Sequence, residues 1–270
     1  MKQMMRKMLC ILLCAAMLVG FVLASPLSAN AHTTSPQTTF SRYTTLAKVY
    51  EQSGCYSMQG MAVHGNYVYA CKTNNGTDTK AVVARINIHD GSKTFLTNTS
   101  TGTYVFEDFV HGNEIEVETI GGVTTMFIPT MASGSESLIR YAINGTTATR
   151  VGNYTMTCGG SNIAGGAIRV MHYSENYITF IFKTGNGFYT GTIPVNQYSG
   201  TVEMTKLFSF EYSTMYINGV QTDISGFSLQ GFEYYDGKIY LPLSGHTVSG
   251  MANVAIILVY DTLGATGTIE

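Results

Sequence analysis

The 270-residue sequence contains no tryptophan and little charge, with Lys, Arg, Asp and Glu at 12% and a formal net charge of −2. It has no basic stripe, which excludes a nucleic-acid surface, because phosphate backbones are held by concentrated Lys and Arg. Without tryptophan, any stacking on sugar rings falls to tyrosine, and a strong lectin site loses support. No two histidines have the H-x-x-x-H spacing of a zinc site, and no C-x-x-C pair is present. The G-x-S-x-G elbow of serine hydrolases is also missing. So is a phosphate-binding glycine loop, since every Gly-rich stretch precedes a strand rather than a helix. Five cysteines occur, two of them at Cys10 and Cys14. Cys55, Cys71 and Cys158 remain after those, an odd number that leaves one thiol unpaired unless chains are linked. A Cys55–Cys71 bridge would close a loop of about 15 residues, worth roughly 3 kcal/mol; the alternative is three small buried thiols.

The chain opens with Lys2, Arg6 and Lys7, then runs almost without a polar side chain from Met8 to Ala24, and reaches Ala29-Asn30-Ala31 before His32. A basic start, an apolar core and an Ala-x-Ala site form the pattern of a secretory signal peptide. Residues 1–31 are therefore expected to be a leader, and the protein to be secreted, extracellular or associated with the cell wall. Losing Lys2, Arg6 and Lys7 with that leader moves the net charge from −2 to −5. No later stretch is apolar and long enough to span a membrane. Residues 32–39, rich in Thr, Ser and Pro, read as a disordered linker. Residues 40–270 read as a single domain.

What the chain has in abundance is Gly (29), Tyr (18) and Phe (13). With Thr, Val and Ile, these aromatics dominate alternating segments, which favours pleated, half-buried strands. Gln59-Gly60-Met61-Ala62-Val63-His64-Gly65-Asn66-Tyr67-Val68-Tyr69 matches Gln230-Gly231-Phe232-Glu233-Tyr234-Tyr235-Asp236-Gly237-Lys238-Ile239-Tyr240. Both read as strand, tight turn, strand, with turn residues suited to positive φ. Weaker copies start at Asn113 and at Ala167. Third strands are expected at Ala81–Asn87, Ser137–Ile143, Gly187–Ile193 and Val254–Tyr260. Fourth strands are expected at Lys93–Leu96, Thr147–Val151 and Met204–Phe210, and Thr44–Tyr50 is a candidate to complete the last unit. Four antiparallel strands per unit, about 55 residues apart, is the pattern of a propeller blade. Stacked in a ring, such units bury both faces of each sheet and leave few edges. The fold class is all-β: a β-propeller of four-stranded antiparallel blades. Five blades are expected, with a degenerate hairpin between Tyr212 and Leu229; four is the alternative count, and a β-sandwich the rival architecture.

The Gln-Gly of the first strand, with His111-Gly112-Asn113-Glu114 and Leu138-Ile139-Arg140-Tyr141, resembles the helveticin J-like class III bacteriocins. Related bacterial propellers labelled as teichoic-acid-biosynthesis or phage wall-binding proteins share the pattern. The resemblance covers residues 50–265 and rests on short motifs; the third unit lacks the signature, which argues against a symmetric site. It implies a Gram-positive exported protein acting at a cell surface, on wall glycan or on competitor cells.

In a propeller, residues at the start of the innermost strands converge on the central channel. Gln59, His111, Asn113, Glu114, Arg169 and Gln230 are the ligand-binding residues expected there, with Asn162 nearby. Glu114, Glu116 and Glu118 alternate, so a strand puts them on one face. A solvated outer face is the expected explanation, calcium being the one cofactor such a run would attract. Glu114 and Glu233, on different blades, could pair for glycosidic cleavage. The turn histidines His64, His89, His172 and His246 are expected to be solvated. Tyr67, Tyr69, Tyr234, Tyr235 and Tyr240 are expected mainly in packing between blades. The leading function is a monomeric propeller, bacteriocin-like in one version, that binds a cell-wall polymer or glycan. The alternatives are a metal-dependent glycan hydrolase or lyase and a protein-binding scaffold.

Overall fold

The computed structural model describes residues 45–74, 76–132, 137–209, 215–217, 220–223, 225–229, 231–248 and 251–261. The expected leader and linker lie outside them. Among the described residues there is no helix, and so none long and apolar enough to cross a membrane.

The first sheet is an antiparallel meander of β1 (Ser57–His64), β2 (Tyr67–Thr73), β3 (Ala81–Asn87) and β4 (Lys93–Phe95). Its first turn is Gly65-Asn66, with Gly65 at φ +55°. After β5 (Thr97–Asn98), the second sheet runs through β6 (Glu116–Ile120), β7 (Val123–Pro129), β8 (Leu138–Asn144) and β9 (Thr147–Cys158). The short β10 (Ser161–Asn162) folds back on the end of β9. The third sheet takes β11 (Ala167–Tyr173), β12 (Tyr177–Thr184), β13 (Gly187–Pro194) and, after β14 (Ser199–Glu203), β15 (Thr205–Ser209). β5 and β14 both pair in parallel with β9, so the neighbouring units cover its outer edge.

A two-stranded unit follows, β16 (Met215–Ile217) with β17 (Val220–Thr222), inside the stretch where a degenerate hairpin was expected. The last sheet has an inner strand in two pieces, β18 (Ser228–Leu229) and β19 (Glu233–Tyr235). Both pair with β20 (Lys238–Val248), which pairs in turn with β21 (Met251–Asp261). Five antiparallel units thus succeed one another, and the inner strands β1, β6, β11 and β19 touch in that order. This is a β-propeller with its first strands around the axis.

The cores lie between sheets. One joins the first and second through Tyr69, Cys71, Val83, Phe106, Phe109, Met126 and Tyr141. Another joins the second and third through Phe127, Tyr154, Met156, Phe180 and Phe182. A third joins the third and last through Ile181, Phe188, Phe232, Ile239 and Leu241. Alternation supplies both faces of each sheet: Phe180 and Phe182 point one way along β12 and Ile181 the other. Of the hairpin tyrosines, Tyr69 is buried and Tyr67 packs against its core, whereas Tyr235 is exposed.

The structure corrects two expectations. Residues 45–50 do not form a fourth strand for the last sheet. They lie without strand pairing along the first sheet, where Ala47 and Val49 pack on Ala70, Ala84 and Ile86. Lys72 and Lys93 hold this segment by donating to the carbonyls of Val49 and Lys48. The Cys55–Cys71 bridge is not formed: both thiols are free and buried. Burial raises the pKa of each, so they stay protonated and unreactive.

Candidate functional site

The two Gln-Gly repeats have a common physical explanation in Glu114. A side chain added at Gly60 would come within 2.6 Å of the Glu114 Cα, and one at Gly231 within 2.0 Å of its Oε2. Only glycine leaves room for this residue between the first and last inner strands. Both glycines also sit where their strands break register. β1 shifts between Met58 and Met61, and the last inner strand is interrupted between Leu229 and Glu233. Glu114 is buried, and its Oε1 accepts from the backbone N–H groups of Met61 and Ile115.

Arg169, from β11, fills the axis beside it and is only 5% exposed. Its Nε donates to Glu233 Oε2 at 3.2 Å. Its NH1 donates to the carbonyls of Ile115 (3.2 Å) and Ile168 (2.8 Å). NH2 reaches Glu114 Oε1 at 3.3 Å and the Met61 carbonyl at 3.5 Å. Four hydrogen bonds and the ion pair with Glu114 give every nitrogen of the guanidinium an acceptor. Glu116 Oε2 stands 3.6 Å from NH1, and its Oε1 accepts from the Val170 N–H. One cation thus joins the inner strands of four units.

The acidic run is accordingly not a solvated outer face. Glu114 and Glu116 turn to the axis because Arg169 and backbone donors await them there. Glu118, further down β6, stands 3.8 Å from His64. Burial dominates the carboxyls: it raises Glu114 against the opposing pull of Arg169, and it raises Glu116 to about 7. Arg169 is pushed up by its three carboxylates, which outweigh the cost of its burial. Glu233 keeps more than half of its side chain in solvent. The axis therefore carries one carboxyl that holds its proton near neutrality and another open to a ligand. The guanidinium supplies the positive charge that such a set would otherwise draw from a metal ion. Among the described residues no group of His, Cys, Asp and Glu has the arrangement of a metal site.

The other expected residues lie at the same end, between the first and second sheets. Gln59 donates to Thr73 Oγ1 at 3.3 Å. His111 Nδ1 meets Asp78 Oδ2 at 2.7 Å, which orients the ring and leaves Nε2 without a partner among the described residues. Asn113 donates to the Met131 sulfur, while its Oδ1 is buried and has no partner among the described residues, as is the case for Oδ1 of Asp78. The backbone here is strained: Asp78, Val110 and Met131 have φ of 48°, 53° and 61°. Such values cost energy for non-glycine residues, most of all for β-branched valine. Gln230 lies outside the described residues, and Asn162 is exposed on β10. His64 is not freely solvated, since its Nε2 meets Thr119 Oγ1 at 2.9 Å.

Sequence reasoning missed Asp78 as the partner of His111, because a loop residue 33 positions away leaves no periodic signal. It gave no role to Asp108 either. Asp108 accepts from Tyr141 and Arg150 and braces the second sheet.

No family model matches the chain, and no match was found among curated proteins. Solved structures with a similar arrangement include RS223 β-xylosidase, at 11% identity and a TM-score of 0.40, over 80% of this chain and 73% of that one. An α-L-arabinofuranosidase from Clostridium thermocellum gives 12%, 0.41, 80% and 71%. The allergen Mala s 1 from Malassezia sympodialis gives 9%, 0.43, 76% and 56%. At these values the likeness is one of general arrangement and transfers no activity.

Proposed function

We propose that this propeller acts on an extracellular glycan at the axial end, with Glu116 and Glu233 as an acid–base pair for cleaving a glycosidic bond. The observation that carries this is the contrast between the two carboxyls around one guanidinium. Glu116 holds a proton up to about pH 7, as a general acid requires. Glu233 faces solvent, where it can activate water or attack carbon. Both contact the same guanidinium, at 3.6 and 3.2 Å, which keeps the two carboxyls below the upper end of the roughly 5–9.5 Å range that glycoside hydrolysis uses. Arg169 touches no substrate in this scheme; it positions the carboxyls.

The test is release of reducing ends from a panel of purified plant and bacterial wall polysaccharides. Glu233→Gln should lower kcat by roughly 10²–10⁴, and the wild-type rate should fall above pH 7 as Glu116 loses its proton. A polymer that binds saturably but is never cleaved would overturn the hydrolytic assignment. It would leave the second reading, a binding propeller at the cell envelope. The specific observation favouring that reading is the unfilled hydrogen-bonding capacity of the partly exposed His111, whose Nε2 has no partner among the described residues. Secretion and the helveticin-like role belong to this proposal and rest on the leader pattern and the short motifs alone.

A further inference from the structure

The third sheet carries a second buried cation, outside the axial cluster. Lys183 is the penultimate residue of β12 and only 6% exposed. Its cross-strand neighbours are Ala167 on β11 and Phe188 on β13. Both belong to the core shared with the last sheet, as does Ile181 two residues earlier. Alternation therefore turns the Lys183 side chain into the seam between the third and last sheets, at the end of the propeller where Arg169 and Glu233 meet.

Among the described residues no hydrogen bond or ion pair engages its ammonium, and burial lowers its pKa to about 8. Nor is Nζ among the fully enclosed unpaired atoms. The stem is thus packed while the head keeps an opening. Lys72, penultimate on β2 and equally buried, shows how this protein treats such a head elsewhere: its Nζ donates to the Val49 carbonyl at 3.0 Å. A buried, unpartnered ammonium is costly to retain. The cost is recovered if an acceptor from outside completes the site.

We infer that Lys183 anchors an anionic group of the ligand, a carboxylate or a phosphate oxygen, at the rim of the axial site. The inference deepens the glycan reading by making the substrate an acidic polymer, a uronate-bearing or a phosphodiester-bearing one. It does not depend on cleavage.

The test follows Lys183 in the purified protein after reductive ¹³C-methylation of its amines, with Lys183→Arg used to assign the resonance. It is titrated alone and with oligogalacturonate, poly(glycerol phosphate) or a neutral xylo-oligosaccharide. One acidic polymer should raise the Lys183 midpoint by about one pH unit or more, an effect of tenfold in affinity between the two protonation states. Which polymer does so identifies carboxylate or phosphate. Lys183→Met, close in volume and free of charge, should bind that polymer at least tenfold more weakly, while Lys206→Met binds it normally. A midpoint unmoved by both acidic polymers, with Lys183→Met binding them as wild type does, overturns the inference. Binding of the neutral oligosaccharide alone overturns it while leaving the glycan reading intact. Loss of cleavage in Glu233→Gln with the Lys183 shift retained supports the inference independently of the hydrolytic assignment.

Discussion

Arg169 and Lys183 sit on adjacent strands of one sheet, both about nineteen-twentieths buried, and their surroundings could hardly differ more. Every nitrogen of the Arg169 guanidinium has an acceptor, and three carboxyl groups from two other units surround it. Lys183 has neither. Burial disfavours both charges, but for Arg169 the carboxylates win and for Lys183 nothing opposes the loss of water. A buried charge that is fully ligated holds a structure together; one that is not marks a place where the protein forgoes stability, and such places gather at sites of function.

Substitutions of the two cations should therefore move stability in opposite directions. The largest effect is expected for Arg169→Met, which strands the axial carboxyls: about 3–5 kcal/mol lost in a denaturant melt at pH 7. Part of that should return when Glu114→Gln is added. Lys183→Met should raise stability by about 1–3 kcal/mol at pH 7; a loss of that size would mean the ammonium has a structural partner. The sign with pH follows from linkage. The unfolded chain keeps this proton to about 10.5 and the folded one to about 8, so stability rises as pH climbs between those values. Lys183→Met should flatten that slope. Glu116 works the other way. Its folded pKa of about 7 lies above the ordinary 4.5, so its contribution is lost as pH rises from about 4.5 through 7. Gly231→Ala tests the ligation of Arg169 indirectly: it drives the Glu114 carboxylate off its seat and should cost about 1–3 kcal/mol. Asp78→Asn should change stability least, by under about 1 kcal/mol, since His111 and Asp78 are both partly solvated. Its effect should show in ligand affinity.

Most of the strands were legible in the sequence because alternation and turn chemistry are local. β3 falls on the expected residues, β11 begins at the expected Ala167, and β13 extends the expected strand by one residue. The hairpin β16–β17 lies where spacing left room for it. What spans units was not legible. The parallel pairing of β5 and β14 with β9 has no signature in any of the three strands. The lie of residues 45–50 depends on Lys72 and Lys93 reaching two carbonyls. In the site, Glu114 and Arg169 were identified from their position at the start of inner strands, and the structure brings them together with Glu233. The burial of Glu116 was not foreseen, because a run of alternating acids looks the same whether it faces water or a guanidinium. Lys183 gave no signal at all: a lysine near the end of a strand ordinarily reaches solvent.

The acceptors of Arg169 come from as far as 108 residues away along the chain. In a linear repeat array each unit gains its stability from its immediate neighbours and can form in turn. Here the order is different. Until β1, β6 and β19 have all arrived, the guanidinium on β11 is a partly desolvated charge with missing partners, which penalises every incomplete ring. The axial arginine should thus make unfolding more cooperative across the propeller than packing between neighbouring blades alone would make it. A chain interrupted before Glu233 keeps the acceptors on the first two units but loses Glu233 and the core between the third and last sheets, so its first three sheets should unfold at a lower denaturant concentration than in the full propeller.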